Sequence, residues 1–169
     1  MSRNSWRAWL KKKKQKLSAP APARIALLGV GNELNGDDGA GVLVARAMAA
    51  GLRPAEGLFC VEGGSAPENF SGPLCRFSPD LLLIVDAGRL DLPPGRIAWL
   101  ELDELEAAGA FSHGLPLSVL AEYVRGQTGC QVGVLAIQVE QTGFDMGLSA
   151  PVAKAVQRLV QSLPGLLRA

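Results

Sequence analysis

The feature that most constrains the fold is a set of nearly continuous apolar runs, of which "LLLIVD" from residue 81 is the clearest. Such a run is typical of a strand that is buried on both faces of a sheet. Segments with helical patterns separate the runs, and this alternation predicts an α/β domain with a mainly parallel sheet covered on both faces. Strands are predicted at 24–30, 58–64, 80–88, 95–102 and 131–140, and helices near 38–50, 102–109, 115–126 and 149–163, with one further helical stretch in "APENFSGPLCRF".

Polar residues at the predicted strand ends indicate where a site would form, because parallel sheets bind ligands outside the carboxyl ends of their strands. Asp38 follows the first strand, Asp86 ends the third, and His113 precedes the helix near 115. Two carboxylates and one imidazole form an open ligand set for a divalent transition metal. Ordinary roles as helix cap, turn former and surface histidine fit the same residues, so spacing alone leaves both interpretations open.

The glycine-rich loop "GVGNELNGDDGAG" at 29–41 raises the alternative of a nucleotide site. Gly29 and Gly31 match the first two glycines of a dinucleotide fingerprint, but Leu34 replaces the third. Two carboxylates, Asp37 and Asp38, stand at the predicted helix N-terminus, where they would repel a phosphate. We therefore expect Asp37 to cap the helix at 38–50 or to support Asp38, and we expect Ser149 to cap the last helix.

The residue inventory restricts the possible hydrolytic mechanisms. His113 is the only histidine, and no G-x-S-x-G elbow is present. Asp37 and Asp38 are adjacent, so they would point about 100° apart in a helix and could not form an aspartic dyad. The three cysteines, Cys60, Cys75 and Cys130, form no CxxC pair, which indicates reduced thiols rather than a disulfide framework.

Charge is distributed unevenly along the chain. Residues 1–24 carry eight of the 17 basic residues and no acid, whereas 25–169 carry nine basic and 16 acidic residues, a net charge of −7. We interpret 1–23 as a basic extension with a Pro/Ala linker, and 24–169 as a single domain. The acidic domain disfavours nucleic acid as a partner. Without a secretory apolar segment or a membrane-spanning run, the chain is predicted to be cytoplasmic.

Five motifs in register carry a family resemblance: "GVGNELNGDDGAG", "GGSAPEN", "LLIVDA", "SHGLPL" and "LAIQ". Over residues 24–163 the chain resembles the hydrogenase maturation proteases, most closely the branch that serves hydrogenase 3-type enzymes. The resemblance implies a three-layer α/β/α fold of the phosphorylase/hydrolase type. It also implies an endopeptidase that removes the C-terminal extension of a NiFe hydrogenase large-subunit precursor after nickel insertion.

The resemblance also implies roles for individual residues. Asp38, Asp86 and His113 fall on the family's metal-contacting positions, and nickel carried by the precursor is expected to serve as the recognition element. Zinc or cadmium could occupy the same positions. Gly63, Gly64 and Ser65 fall on the substrate-facing loop, which Glu62 precedes where Asp is common. We expect a monomer. The alternatives are a non-catalytic chaperone of the nickel-loaded subunit, a nucleotide-binding domain and a peptidyl-tRNA hydrolase-like enzyme.

Overall fold

A computed structural model describes residues 5–17, 23–51, 57–108 and 116–168 of the chain. The strands are β1 (Ile25–Val30), β2 (Leu58–Gly64), β3 (Leu81–Gly88), β4 (Ile97–Leu100) and β5 (Gln131–Gln138). They form one sheet in the order β2-β1-β3-β5-β4. All neighbouring strands run parallel except β4, which pairs antiparallel with β5 at the edge.

Helices cover both faces of the sheet, which confirms the predicted three-layer α/β/α architecture. The helices are α1 (Trp6–Gln15), α2 (Ala40–Gly51), α3 (Ser71–Phe77), α4 (Leu102–Ala108), α5 (Leu117–Thr128) and α6 (Ala150–Arg168). One core contains residues of α1, α2 and α6, and a second core contains residues of α3, α4 and α5. No helix in the described ranges is long and apolar enough to cross a membrane.

The predicted strands are all confirmed, and the differences lie at the ends of elements. β4 is shorter than predicted because Gly95 turns with a φ of 73° at one end. At the other end the Glu101 N–H donates to the Glu104 carboxylate, as in a capping box that starts α4. The segment before α2 is a 3₁₀ turn, Gly36–Gly39, rather than the first turn of the helix.

The N-terminal helix α1 belongs to the predicted basic extension at 1–23 and packs into the main core. Trp6 and Leu10, one turn apart on the helix, are 6% and 0% exposed. Arg7 donates a hydrogen bond to Ser162 Oγ at 2.8 Å, and Lys14 Nζ donates to the last carbonyls of α6. The basic residues on this helix therefore partly serve as contacts to α6. The division of the chain at residue 24 stays a prediction.

Close packing of α2 on the sheet depends on a glycine. A Cβ atom added to Gly41 would lie 2.2 Å from the Val85 carbonyl oxygen and 2.4 Å from that of Val30. Both oxygens belong to strand backbone, so a side chain would push the start of α2 away from β1 and β3. This contact positions the turn that carries Asp38 directly above the end of β3.

Replacing Gly41 with alanine is expected to lower the free energy of unfolding by about 2–3 kcal/mol, because overpacking against backbone cannot relax easily. Gly51→Ala at the other end of α2 is the matched control, since a Cβ there meets no atom within 4 Å. Urea unfolding of both variants measures the difference. Equal stability of the two variants would contradict the packing role of Gly41.

Candidate active site at the carboxyl rim of the sheet

Asp86 is buried at the end of β3, between β1 and β5. It pairs in register with Ala136 and is 0% exposed. Its Oδ1 accepts a hydrogen bond from the N–H of Ala87 at 2.8 Å. A carboxylate held in the middle of the rim, below the surface, is suited to a ligand that approaches along the strand direction.

Asp38 lies in the 3₁₀ turn above this strand end and is half-buried. Its Oδ2 accepts the N–H of Asn32 at 2.9 Å, which closes the glycine-rich loop around the carboxylate. Gly31 permits this closure with a φ of 132°, and a Cβ there would lie 1.7 Å from the Asp38 carbonyl oxygen. The loop therefore needs glycine at position 31 to hold Asp38 at the rim.

Asp37 has a different role from its neighbour, and the prediction that it caps the helix at 38–50 is wrong. Its carboxylate is 0% exposed and faces the segment after β5. There it accepts the N–H groups of Glu140 at 2.7 Å, Gln141 at 2.9 Å and Ser149 at 2.6 Å, and the Ser149 hydroxyl at 2.9 Å. Asp37 thus binds the N-terminus of α6, where a negative charge is favourable, while the Ser149 hydroxyl donates to Asp37.

The Gly-Gly pair at the end of β2 lies beside the glycine-rich loop. The register between β1 and β2 shifts so that Val30 pairs with Gly64, which leaves Gly63 in a bulge. The Gly64 carbonyl accepts the N–H of Gly31 at 2.9 Å, and Ser65 is exposed. Bulges of this kind are common next to active sites. The substrate-facing role of Gly63, Gly64 and Ser65 stays a prediction.

Two of the three predicted metal-contacting residues thus lie at one rim, in elements that touch. The turn that carries Asp38 contacts β3, which carries Asp86. The third, His113, lies outside the described residues. Within the described ranges, no group of three or more His, Cys, Asp or Glu side chains is arranged to hold a metal ion. The complete trio therefore stays a prediction.

Two of the three cysteines, Cys60 and Cys130, are poor candidates for an alternative nucleophile. All three thiols are free. Burial raises the pKa of Cys60 to about 11, and burial also raises the pKa of Cys130. A thiol with a raised pKa is protonated at neutral pH and is a poor nucleophile. Cys60 and Cys130 are therefore poor candidates for the nucleophile, whereas the carboxylates of Asp38 and Asp86 lie at this rim.

A cavity of about 480 Å³ lies elsewhere, near the start of β5. Because β5 is parallel to β3, the start of β5 lies at the amino ends of the strands, whereas Asp86 lies near their carboxyl ends. The cavity lining includes Lys13, Glu101 and Arg125 but neither Asp38 nor Asp86. We therefore locate the candidate active site by its chemistry, at the carboxyl rim, and not by cavity size.

The family model described as "Hydrogenase maturation protease" matches residues 42–165. The chain belongs to the hydrogenase maturation protease family. It is 38% identical over 140 residues to the hydrogenase 3 maturation protease of Escherichia coli K12, covering 82% of this chain and 88% of that protein. A putative hydrogenase maturation protease of Methanocaldococcus jannaschii is 26% identical over 146 residues, covering 83% of this chain and 86% of that one.

Solved structures of hydrogenase maturation proteases share the fold. The crystal structure of a NiFe hydrogenase maturation protease from Thermococcus kodakarensis superposes with a TM-score of 0.83 at 27% identity, over 95% of this chain and 99% of that chain. A solution structure of an endopeptidase from Escherichia coli gives 0.73 at 37% identity, over 83% and 89%. The resemblance and the fold are therefore confirmed, and the chain is a hydrolase of the peptidase class.

One feature of this hydrogenase maturation protease that sequence reasoning missed is the role of Arg46. Its guanidinium contacts both oxygens of Glu33 at 2.8 Å and Glu62 at 2.7 Å. The hydrogen bond from Arg46 lowers the pKa of Glu33. The three side chains are 41–49% exposed, so the pairs add little stability. Their effect is to fix the glycine-rich loop against the end of β2.

Gln138 is a second residue that sequence reasoning missed, although it ends the "LAIQ" motif. It is 8% exposed, and its Oε1 accepts the N–H groups of Leu90 at 2.7 Å and Leu92 at 3.2 Å. Its Nε2 donates to the Val139 carbonyl at 2.8 Å. The amide thereby holds the segment that follows Asp86. The signal that could have identified it is a polar residue ending an otherwise apolar buried strand.

Proposed function

We propose that this peptidase removes the C-terminal extension of a NiFe hydrogenase large-subunit precursor after nickel has been inserted. The observation that carries the proposal is the 38% identity over 140 residues to a protein named hydrogenase 3 maturation protease. Two carboxylates at the carboxyl rim of the sheet, the half-buried Asp38 and the buried Asp86, support the proposal. We further propose that the protein is a monomer and that it acts in the cytoplasm, where reducing conditions fit its free thiols.

Recognition is proposed to involve nickel that the precursor carries. Asp38 and Asp86, together with His113, would contact this nickel and so select a loaded precursor over an empty one. Carboxylate and imidazole are suitable ligands for a divalent transition ion. A three-ligand protein site binds free metal weakly and loses affinity as His113 becomes protonated. We therefore propose that these three residues contact nickel in the complex with the precursor and do not hold a free metal ion.

Cleavage is proposed to proceed by direct attack of water on the scissile carbonyl. The water oxygen bonds to the carbonyl carbon, the C–N bond breaks, and a carboxylate transfers the water proton to the departing amine. Asp38 is the better general base because it is half-buried, whereas Asp86 is fully buried. Asp37 is the weaker candidate because both of its oxygens already accept hydrogen bonds from residues 140, 141 and 149.

The test is incubation of nickel-loaded precursor with a substoichiometric amount of this chain, followed by intact mass analysis of the large subunit. Conversion of all the precursor to a shorter form, with release of one C-terminal peptide, supports a peptidase. The alternative of a non-catalytic chaperone predicts a complex of the two proteins with the precursor mass unchanged. Unchanged mass would therefore overturn the proposal.

A further inference from the structure

Three large apolar side chains are exposed together beside the candidate active site. Leu34, Phe144 and Met146 are 57%, 78% and 54% exposed, and we call them the rim patch. Leu34 belongs to the glycine-rich loop, and the other two belong to the segment between β5 and α6. The Asp145 N–H donates to the Leu34 carbonyl at 2.8 Å, so the two segments form one surface.

Hydrogen bonds hold the backbone beneath the rim patch in place. Below it, the buried Asp37 carboxylate accepts hydrogen bonds from both ends of the 140–149 segment. The Asp37 N–H also donates to the Gln141 carbonyl at 3.0 Å. Gly36 lies against the same carbonyl, since a Cβ there would be 2.9 Å from it. Holding exposed apolar groups in a fixed position lowers the entropy that is lost when a partner binds.

The location of the rim patch indicates its partner. Leu34 and Asp38 belong to one short loop, so a polypeptide that reaches Asp38 passes beside Leu34. Exposed apolar clusters on soluble proteins commonly mark protein-binding surfaces, and methionine adapts to varied partners. Two exposed acids lie in the same segment: Asp145 directly follows Phe144, and Glu140 is near the start of the segment. They disfavour an acidic partner segment.

We propose that the rim patch binds large apolar side chains in a neutral or basic segment of the hydrogenase precursor next to the scissile bond. The proposal rests on the proposed function and adds a specificity surface to it. Apolar contacts made equally before and during the reaction lower KM without changing kcat. The rim patch is therefore expected to act on binding and not on the chemical step.

The test compares a Phe144→Ser/Met146→Ser double variant with wild type and with Tyr123→Ser. Tyr123 is a matched control because it is an aromatic residue, 53% exposed, on α5. We expect the double variant to raise KM for the nickel-loaded precursor about tenfold or more, with kcat and the melting temperature unchanged. Tyr123→Ser should match wild type. An unchanged KM in the double variant would overturn the inference.

Two further readouts separate substrate binding at the rim patch from catalysis and from self-association. Binding of the precursor is measured for wild type and the double variant, so the rim patch is tested even if wild type does not cleave and the proposed function fails. Tighter binding by wild type supports the inference, and equal binding or no binding overturns it. Size-exclusion chromatography with mass detection tests whether a second copy of this chain covers the rim patch instead. The inference is overturned if wild type is a dimer, the double variant is a monomer and the KM of the two is the same.

Discussion

Replacing Asp37 with alanine is expected to lower the free energy of unfolding by about 3–5 kcal/mol. The carboxylate is fully buried and accepts four hydrogen bonds from Glu140, Gln141 and Ser149. Alanine would leave three backbone N–H groups without their acceptor, and the N-terminus of α6 without a compensating charge. Urea unfolding followed by circular dichroism measures the loss.

The neighbouring acid provides the control for this result. Asp38→Ala removes the hydrogen bond with the N–H of the exposed Asn32, so its free energy of unfolding should fall by about 1 kcal/mol or less. Ser149→Ala removes one of the four hydrogen bonds to Asp37 and should give an intermediate loss. If Asp37→Ala is as stable as Asp38→Ala, the structural role assigned to Asp37 is wrong.

Replacing Asp38 with asparagine is expected to slow cleavage of the precursor by about 100-fold or more while leaving the fold intact. Asparagine keeps the shape of the side chain and can still accept the Asn32 N–H, but it cannot take a proton from water and is a weak metal ligand. Initial rates of peptide release, measured on nickel-loaded precursor, report the effect.

Glu62→Gln is a suitable control for the loss of a carboxylate near the same rim. Glu62 is exposed and forms an ion pair with Arg46, and Arg46 also forms an ion pair with Glu33. We expect this variant to cleave at close to the wild-type rate. An Asp38→Asn variant that is as active as Glu62→Gln would show that Asp38 has no part in the chemistry.

The strands are predictable because burial on both faces requires nearly unbroken apolar runs, which are visible in a single sequence. The 81–88 run and the 131–138 run are neighbours in the middle of the sheet. The position of Asp38 and Asp86 at one rim follows from the rule that parallel strands end on the same side. That part of the site is accessible to sequence reasoning because it depends only on where each strand ends.

Other features depend on contacts between distant parts of the chain, and local patterns do not reveal them. The local pattern predicts that Asp37 caps the following helix, but its carboxylate binds residues more than 100 positions away. Arg46 joins two acids that belong to different strand ends. The burial of α1 has a weak signal, since Trp6 and Leu10 recur one turn apart, but the surrounding lysines obscure it.

Nickel recognition is tested most directly by comparing cleavage of nickel-loaded precursor with cleavage of the same precursor prepared without nickel. Intact mass analysis of the large subunit is performed over time for both, with wild type and with Asp38→Asn. We predict that wild type releases the C-terminal peptide from the nickel-loaded precursor alone, and that Asp38→Asn releases it from this precursor about 100-fold more slowly or not at all. Equal cleavage of the nickel-free precursor by wild type would contradict a role for nickel in recognition.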